Sequence, residues 1–308
     1  MATPILELTE SERTAFAALM DVLQKEFSAE WVGQRVALTI LFCSKCNVQD
    51  ATKRYQKWVK MLQSFGFASL AELLGPAAMQ VINCSGDSPA AAPWSDDADW
   101  RELRADAAAH GYLLPAGKDG QGRQVLWQLG VMTCDGGRER EQAVLRVITL
   151  AWLAVHSDLT TLREGVIVVH MVQPNDGSHL TRQSTRKLVG AAGSFPARPQ
   201  KVLIAGLGAT GIAIARTLIR LVFAVTRTKL LDRMMFVTYP ELWEHVPHRS
   251  IPKLHGVLRS GGAYSGLEHP IDWIEQRLRA FGPLEVPPAV AGTSDSAPGR
   301  SQVIRAVK

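Results

Sequence analysis

Residues 201–237 read KVLIAGLGATGIAIARTLIRLVFAVTRTKLLDRMMFV. An apolar strand pattern over 202–205 runs into a turn carrying Gly206, Gly208 and Gly211. An apolar helix follows over 212–225, and a second strand pattern over 234–237. Strand, turn, helix, strand is the unit that builds parallel sheets. Upstream, residues 166–172 (VIVVHMV) form a β-branched run typical of a strand buried on both faces. Residues 125–131 (VLWQLGV) read as a further strand. Residues 138–156 read as a long helix whose polar start (RERE) gives way to apolar residues, 180–190 as a basic helix or loop, and 240–245 as a short helix. The expected class is α/β, with a mainly parallel sheet flanked by helices.

The first third has a different pattern. Thr9-Glu10-Ser11-Glu12 fits a capping box, and Ala15, Leu19, Val22 and Leu23 recur at helical spacing, which predicts a helix over 10–27. Residues 36–44 (VALTILFCS) are apolar and expected to face inward. Asp50 is the expected N-cap of a helix carrying Tyr55, Trp58, Val59 and Leu62 and ending near Gly66. A short helix is expected over 69–74, and another over 100–110. Residues 83–97 (NCSGDSPAAAPWSDD) read as an exposed linker, and the low-complexity residues 283–308 as a disordered tail. The expected organisation is a helical subdomain over 1–82, the linker over 83–97, an α/β domain over 98–282 and the tail.

The 308 residues are 46% hydrophobic and 20% charged, which excludes wholesale disorder, a collagen-like repeat and a coiled-coil rod. No run approaches the ~20 apolar residues of a membrane span. The start shows no basic region followed by an apolar one, so no secretory signal is expected. Four cysteines are too few for a disulfide framework, which favours a reducing, cytoplasmic setting. Net charge is +5 and unevenly placed: residues 177–231 carry nine Lys and Arg side chains and no acid. Such a patch attracts anions, either a phosphate-bearing small molecule or an anionic bilayer. Nucleic acid is disfavoured, because the window offers only Phe195 and Phe223 for stacking.

The glycine turn also fits a dinucleotide fingerprint, since GLGATG follows a strand and opens a helix. Arg227 stands where a 2′-phosphate partner would, so an NADP(H)-dependent oxidoreductase using the 206–211 loop is the alternative reading. Against it, one strand pattern follows and the next helix is unusually apolar. Cys43 and Cys46 form a CxxC pair at the end of an apolar helix, without the βαβ setting of a redox dithiol or a second pair for zinc; packed cysteines are expected. His245 and His248 flank Pro247, which breaks the helix between them, so no metal is expected there. His170 lies within an apolar strand pattern, where a satisfied core histidine is the default.

In order along the chain, several segments resemble the CRAL-TRIO family. Residues 36–66 (VALTILFCSKCNVQDATKRYQKWVKMLQSFG) resemble its N-terminal helical element. Residues 118–127 (KDGQGRQVLW) resemble the family's D-x-x-G-R-P-V start of the first core strand, and 165–172 its central strand. Residues 195–237 resemble its Y-P-E-R turn, next strand, mobile apolar helix and following strand; Ile251-Pro252-Lys253-Leu254-His255-Gly256 resembles its closing motif. The resemblance covers about residues 36–262 and places the glycine turn where the family leads into its gate helix.

The resemblance implies a non-catalytic protein that binds one lipid beneath an apolar gate helix and transfers or presents it between membranes, with no cofactor beyond that lipid. A lipid-sensing adaptor without transfer activity is a further alternative. Val168, His170, Val172, Leu203, Ala205 and Met235 are the expected cavity residues, and Ile212, Leu218, Leu221 and Phe223 the expected lid. Arg198, Lys201 and Arg233 are expected at the head-group phosphate, and Arg216 and Arg220 against an anionic membrane. The implied ligand is a phospholipid, phosphatidylinositol included, or another hydrophobic small molecule; the implied location is cytoplasmic and peripheral to membranes. Ala197 stands where the family's phosphoinositide readers carry glutamate, Arg233 where they carry lysine, and His170 replaces the central-strand aspartate.

Overall fold

A computed structural model of the chain describes residues 7–75, 78–79, 101, 114–129, 137–172, 194–207, 211–212, 233–247 and 270–280. The linker over 83–97, the tail, the expected helix over 100–110, the closing motif over 251–256 and most of the expected gate helix lie outside them.

Helix α1 spans Glu10–Glu26. Its capping box forms as expected: Thr9 Oγ1 accepts from Glu12 N–H at 3.2 Å, and Glu12 Oε2 accepts from Thr9 N–H at 2.8 Å. Phe16, Leu19 and Leu23 form its buried stripe. A 3₁₀ turn, Ala29–Trp31, precedes α2, Gln34–Cys43, in which every residue from Arg35 to Phe42 is buried. The chain leaves α2 through Lys45 and Cys46, both at positive φ (54° and 58°), and reverses into α3, Val48–Ser64. The N-cap of α3 is Asn47, not Asp50: Asn47 Oδ1 accepts from Asp50 N–H at 3.0 Å. Asp50 is instead an acid in the first turn, favourable against the positive end of the helix dipole. Helix α4, Leu70–Leu74, is capped by Ser69.

Strands β1, Leu114–Lys118, and β2, Gln124–Leu129, form an antiparallel hairpin. Asp119 builds its turn, accepting from the Gln121 and Arg123 N–H groups at 2.9 Å and pairing with the Arg123 guanidinium at 2.6 Å. Helices α5, Arg138–Val155, and α6, Leu159–Glu164, cross over to β3, Val166–Met171. Strands β4, Pro199–Ala205, and β5, Met234–Phe236, follow, with α7, Tyr239–His245, and α8, Pro270–Ala280, after them. The described strands make a five-stranded sheet in the order β1-β2-β3-β4-β5, parallel from β2 to β5. The α/β class and the mainly parallel sheet are as expected.

The two sheet faces have different covers. One carries Leu126, Val166 and Val168, which join a core cluster with α1 to α5 and α8. The other carries Val125, Trp127, Ile167, Val169, Met171, Leu203, Ala205 and Val237, packed with Leu242 and Val246 around α7. The N-terminal helices therefore share one core with the helices that cover the sheet.

Gly165, at φ 87°, ends α6 and leads into β3. A Cβ there would lie 2.6 Å from the Arg198 carbonyl oxygen, and that carbonyl accepts from Val166 N–H at 2.9 Å. Gly122, at φ 79°, has only Thr160 Cγ2 nearby, at 3.8 Å. Both positions strain an L-residue, but only Gly165 meets fixed backbone. Gly165→Ala is expected to lower the urea midpoint by the equivalent of about 3 kcal/mol, and Gly122→Ala by about 1 kcal/mol. Equal losses in the two variants would contradict the close approach.

Candidate functional site

Arginines converge on the 195–199 turn, which feeds β4. Arg54 reaches from α3 and donates through Nη2 to the carbonyls of Phe195 and Ala197, at 2.8 and 2.7 Å. Arg198 donates through Nη1 to Phe42 O in the last turn of α2, at 3.2 Å, and to Leu162 O in α6, at 3.1 Å. Arg233 donates to Pro199 O at 2.6 Å. Among the described residues no carboxylate forms an ion pair with Arg54, Arg198 or Arg233. Among the described residues, the hydrogen-bond partners of all three are carbonyls of helix ends and of the turn.

Two titratable groups border this cluster. The Cys43 thiol is pushed above its ordinary range by burial, which outweighs the opposing influence of Arg54, Arg198 and Arg233. Burial also raises the Cys46 thiol, so neither is an activated nucleophile. His156, which closes α5, is depressed from 6.5 to about 4, chiefly by burial. Among the described residues no group of three His, Cys, Asp or Glu side chains is placed to hold a metal ion.

The expected cavity residues do not form one floor. Cα partners across the sheet share a face, and Val168 pairs with Val202 while His170 pairs with Ile204. Val168, His170 and Val172 therefore lie on one face. Leu203 pairs with Val169 and Met235, and Ala205 with Met171, which puts Leu203, Ala205 and Met235 on the other. The correction has a physical cause. A register shift near the start of β3 and β4, where Val166 pairs with Pro199 but Ile167 with Lys201, sets the phase of the period-two alternation. Leu203 and Ala205 are fully buried against α7, and Met235 is 39% exposed.

The face bearing Val168 is less completely covered toward the strand ends. His170, Val172, Val202, Met234 and Phe236 are half-buried there, whereas Val168 and Ile204 are buried. Lys201 pairs with Ile167 and so lies on the opposite face, apart from this row. Gly206, at φ 94°, ends β4 and lies against Val172: a Cβ there would be 3.2 Å from Val172 O. Of the expected lid, Ile212 is described and buried. Leu218, Leu221, Phe223, Arg216, Arg220 and Gly208 lie outside the described residues. Sequence reasoning missed Arg54, which sits in a helix far along the chain from the carbonyls it binds; no local pattern marks it.

No protein-family model matches the chain, and no curated protein does. Among the described residues no helix is long and apolar enough to cross a membrane.

Loss of Arg198 leaves the Leu162 carbonyl without this donor and the Phe42 carbonyl with the Lys45 N–H. Arg198→Met is expected to cost about 3 kcal/mol in urea unfolding, the range for charge-assisted hydrogen bonds. Inorganic phosphate is expected to stabilise the wild type by less than about 0.5 kcal/mol at tenfold-varied concentration, because those donors are engaged. Strong phosphate stabilisation abolished by Arg198→Met would instead make Arg198 an anion ligand.

Proposed function

We propose that the protein binds one lipid or similar hydrophobic molecule, without catalysis, and carries or presents it at membranes. The observation that supports this most directly is the unequal cover of the two sheet faces. One face is packed by aliphatic and aromatic residues down to Ala205 and Val237, with Met235 of the edge strand exposed beside them. The other leaves Val172, Val202, Met234 and Phe236 half-buried beside His170. Partly covered apolar residues on an otherwise buried sheet are suited to a hydrophobic guest. In this reading the floor is His170, Val172, Ile204 and Phe236, bordered by Val168 and Val202 where they pack against the helical core, and the segment beginning at Ile212 is the cover. The order of elements, with helices first, the Asp119 hairpin next and then parallel strands, agrees with the family that the sequence resembles.

The state of the arginines refines the ligand. Arg198 and Arg233 spend donors on backbone carbonyls, so the proposal places the selectivity in the apolar part of the ligand rather than in a phosphate. Phospholipids, isoprenoids and sterol-like molecules all fit that description, and an anionic membrane surface is the proposed transient partner.

Organic extraction of the purified protein followed by mass spectrometry, with mixed liposomes as the exchange donor, is expected to find a bound lipid. Val172→Glu is expected to keep the far-UV circular dichroism of the wild type and lose roughly tenfold or more of that lipid. Leu203→Glu, on the opposite face, is expected to prevent folding. A protein that emerges empty and extracts nothing from liposomes overturns the proposal. Tight NADPH binding that Gly208→Asp abolishes would favour the reductase instead. Lipid binding without transfer between vesicles would favour the adaptor.

A further inference from the structure

We infer that Gln128 and His170 hold the polar end of the guest, and that the guest is an uncharged lipid with a hydroxyl or carbonyl group at that end. The inference rests on the lipid reading and narrows it. Gln128 of β2 pairs with His170 of β3, His170 with Ile204 of β4, and Ile204 with Phe236 of β5. Cα partners share a face, so these four side chains form one row across the sheet. The row begins with two polar side chains and continues with two apolar ones. At about 4.8 Å between strands it is roughly 14 Å long. Gln128, His170 and Phe236 are half-buried, and Ile204 is buried.

The neighbouring positions set the direction in which a guest lies. The next row toward the amino end, Leu126, Val168, Val202 and Met234, is wholly apolar. Leu126 and Val168 are buried in the helical core and Val202 packs against it, which closes that side. Gln124, farther back along β2 on the same face, spends its amide on the Gly117 and Val125 carbonyls, at 2.8 and 3.2 Å. Gln128 and His170 are also engaged within the protein. A carboxamide nevertheless offers two N–H donors and an acceptor oxygen, and a neutral imidazole one donor and one acceptor. Together they have the capacity to serve a ligand group as well.

Two costs select the ligand. A plain hydrocarbon laid on the row would take the polar pair out of water and return no hydrogen bond. A hydroxyl or carbonyl returns one and needs no counter-charge. A phosphate or carboxylate does need one. No described strand position on this face carries Lys, Arg, Asp or Glu. Lys201 lies on the other face, and Arg198 and Arg233 bind carbonyls at the amino end of the sheet. With the polar group over β2 and β3, the apolar body follows the row across Ile204 and Phe236 toward β5, the last strand of the described sheet.

The test incubates the full chain with liposomes of phosphatidylcholine that carry octadecane, octadecanol and octadecanoic acid in equal amounts, and reads the lipids extracted from the re-isolated protein by mass spectrometry. The three additives share a chain length and differ only in the end group. Relative to the liposomes, octadecanol is expected to be enriched roughly tenfold or more over each of the other three lipids. Gln128→Leu combined with His170→Leu is expected to bring the octadecanol-to-octadecane ratio to about one without lowering octadecane uptake. Photoreactive octadecanols give a second readout in the wild type, which holds if that variant fails to fold. A diazirine beside the hydroxyl is expected to label residues 124–129 or 166–172, and one at the far end of the chain residues 202–206 or 233–237. Uptake without preference for octadecanol overturns the inference while the lipid reading stands, as does a preference that the double variant keeps or a reversed labelling pattern. A co-purifying lipid whose end group is a phosphate or carboxylate overturns it in the same way. A protein that carries no lipid and takes up none of the four overturns the lipid reading itself.

Discussion

Helix-end carbonyls, and the arginines that satisfy them, set how the helices lie on this sheet. An α-helix leaves its last carbonyls without intrahelical partners and with partial negative charge. Burying such a group without a donor costs about 1–3 kcal/mol. Some ends are closed locally: the Gly75 N–H bonds Ala71 O, and the Gly165 N–H bonds Thr161 O. Others also receive a donor from a distance: Arg198 reaches Phe42 O of α2, which Lys45 N–H bonds too, and Leu162 O of α6, Arg146 the end of α4 and Arg35 the end of α8, while Arg138 and Gln142 bind the carbonyls just past α3. Burial drives these helices together, but it is non-directional. The guanidinium bonds have direction, and each joins elements far apart in the chain. Arg35 illustrates the strength of that demand: it is 1% exposed and its pKa is pulled down to about 9, yet it donates to Leu278 O at 3.0 Å.

The same bonds change the meaning of the positive charge. Counted along the sequence, the acid-free window over 177–231 looks like a surface that attracts anions. Within it, Arg198 instead faces two helix ends, and beyond it Arg233 faces the start of β4. A guanidinium bound to carbonyls retains its full charge, but the dipoles around it absorb much of the field. Formal charge therefore overstates what an incoming phosphate would meet at these residues. Glu12 and Arg163 show the other way in which this chain uses charge. Glu12 closes its own capping box and also pairs with Arg163 of α6 at 2.6 Å, which holds its carboxyl below the usual range and ties α1 to the crossover.

How much of this was legible in the sequence depends on the range of the interaction. The capping box of α1, the apolar α2, the long α5 and the parallel strands all rest on residues within a turn or two of each other, and those readings match the structure. The Asp119 turn is local too: an aspartate, a glycine and an arginine within five positions build it. Strand β1 was not legible, since Pro115 and Gly117 are residues that sheets ordinarily exclude. The cap of α3 was misread because Asn47 and Asp50 are both good cap residues, and only the positive φ of Lys45 and Cys46 fixes where the turn ends. Register was beyond reach: one shifted residue near Gln200 decides that Leu203 turns away from Val168. The carbonyl-binding role of Arg54 was equally hidden, because its partners at Phe195 and Ala197 become neighbours only after the sheet has formed.

The sheet is therefore unequal along its length as well as across its thickness. The arginine cluster sits at the amino ends of β4 and β5, where it binds the turn to α2, α3 and α6. The half-buried residues Val172 and Phe236 lie toward the carboxyl ends, while Val202 and Met234 lie nearer the arginines. At about 3.3 Å per residue, β4 spans roughly 20 Å from the Pro199 end to the end beside Val172. In open parallel sheets the carboxyl ends are where ligands bind, and among the described residues the guanidinium bonds to the 195–199 turn lie at the opposite end. A guest held as proposed along the half-buried row would leave those bonds in place. In the proposed reading, the arginines that bind helix-end and turn carbonyls stabilise the amino end of the sheet, and the guest is held along the half-buried apolar row.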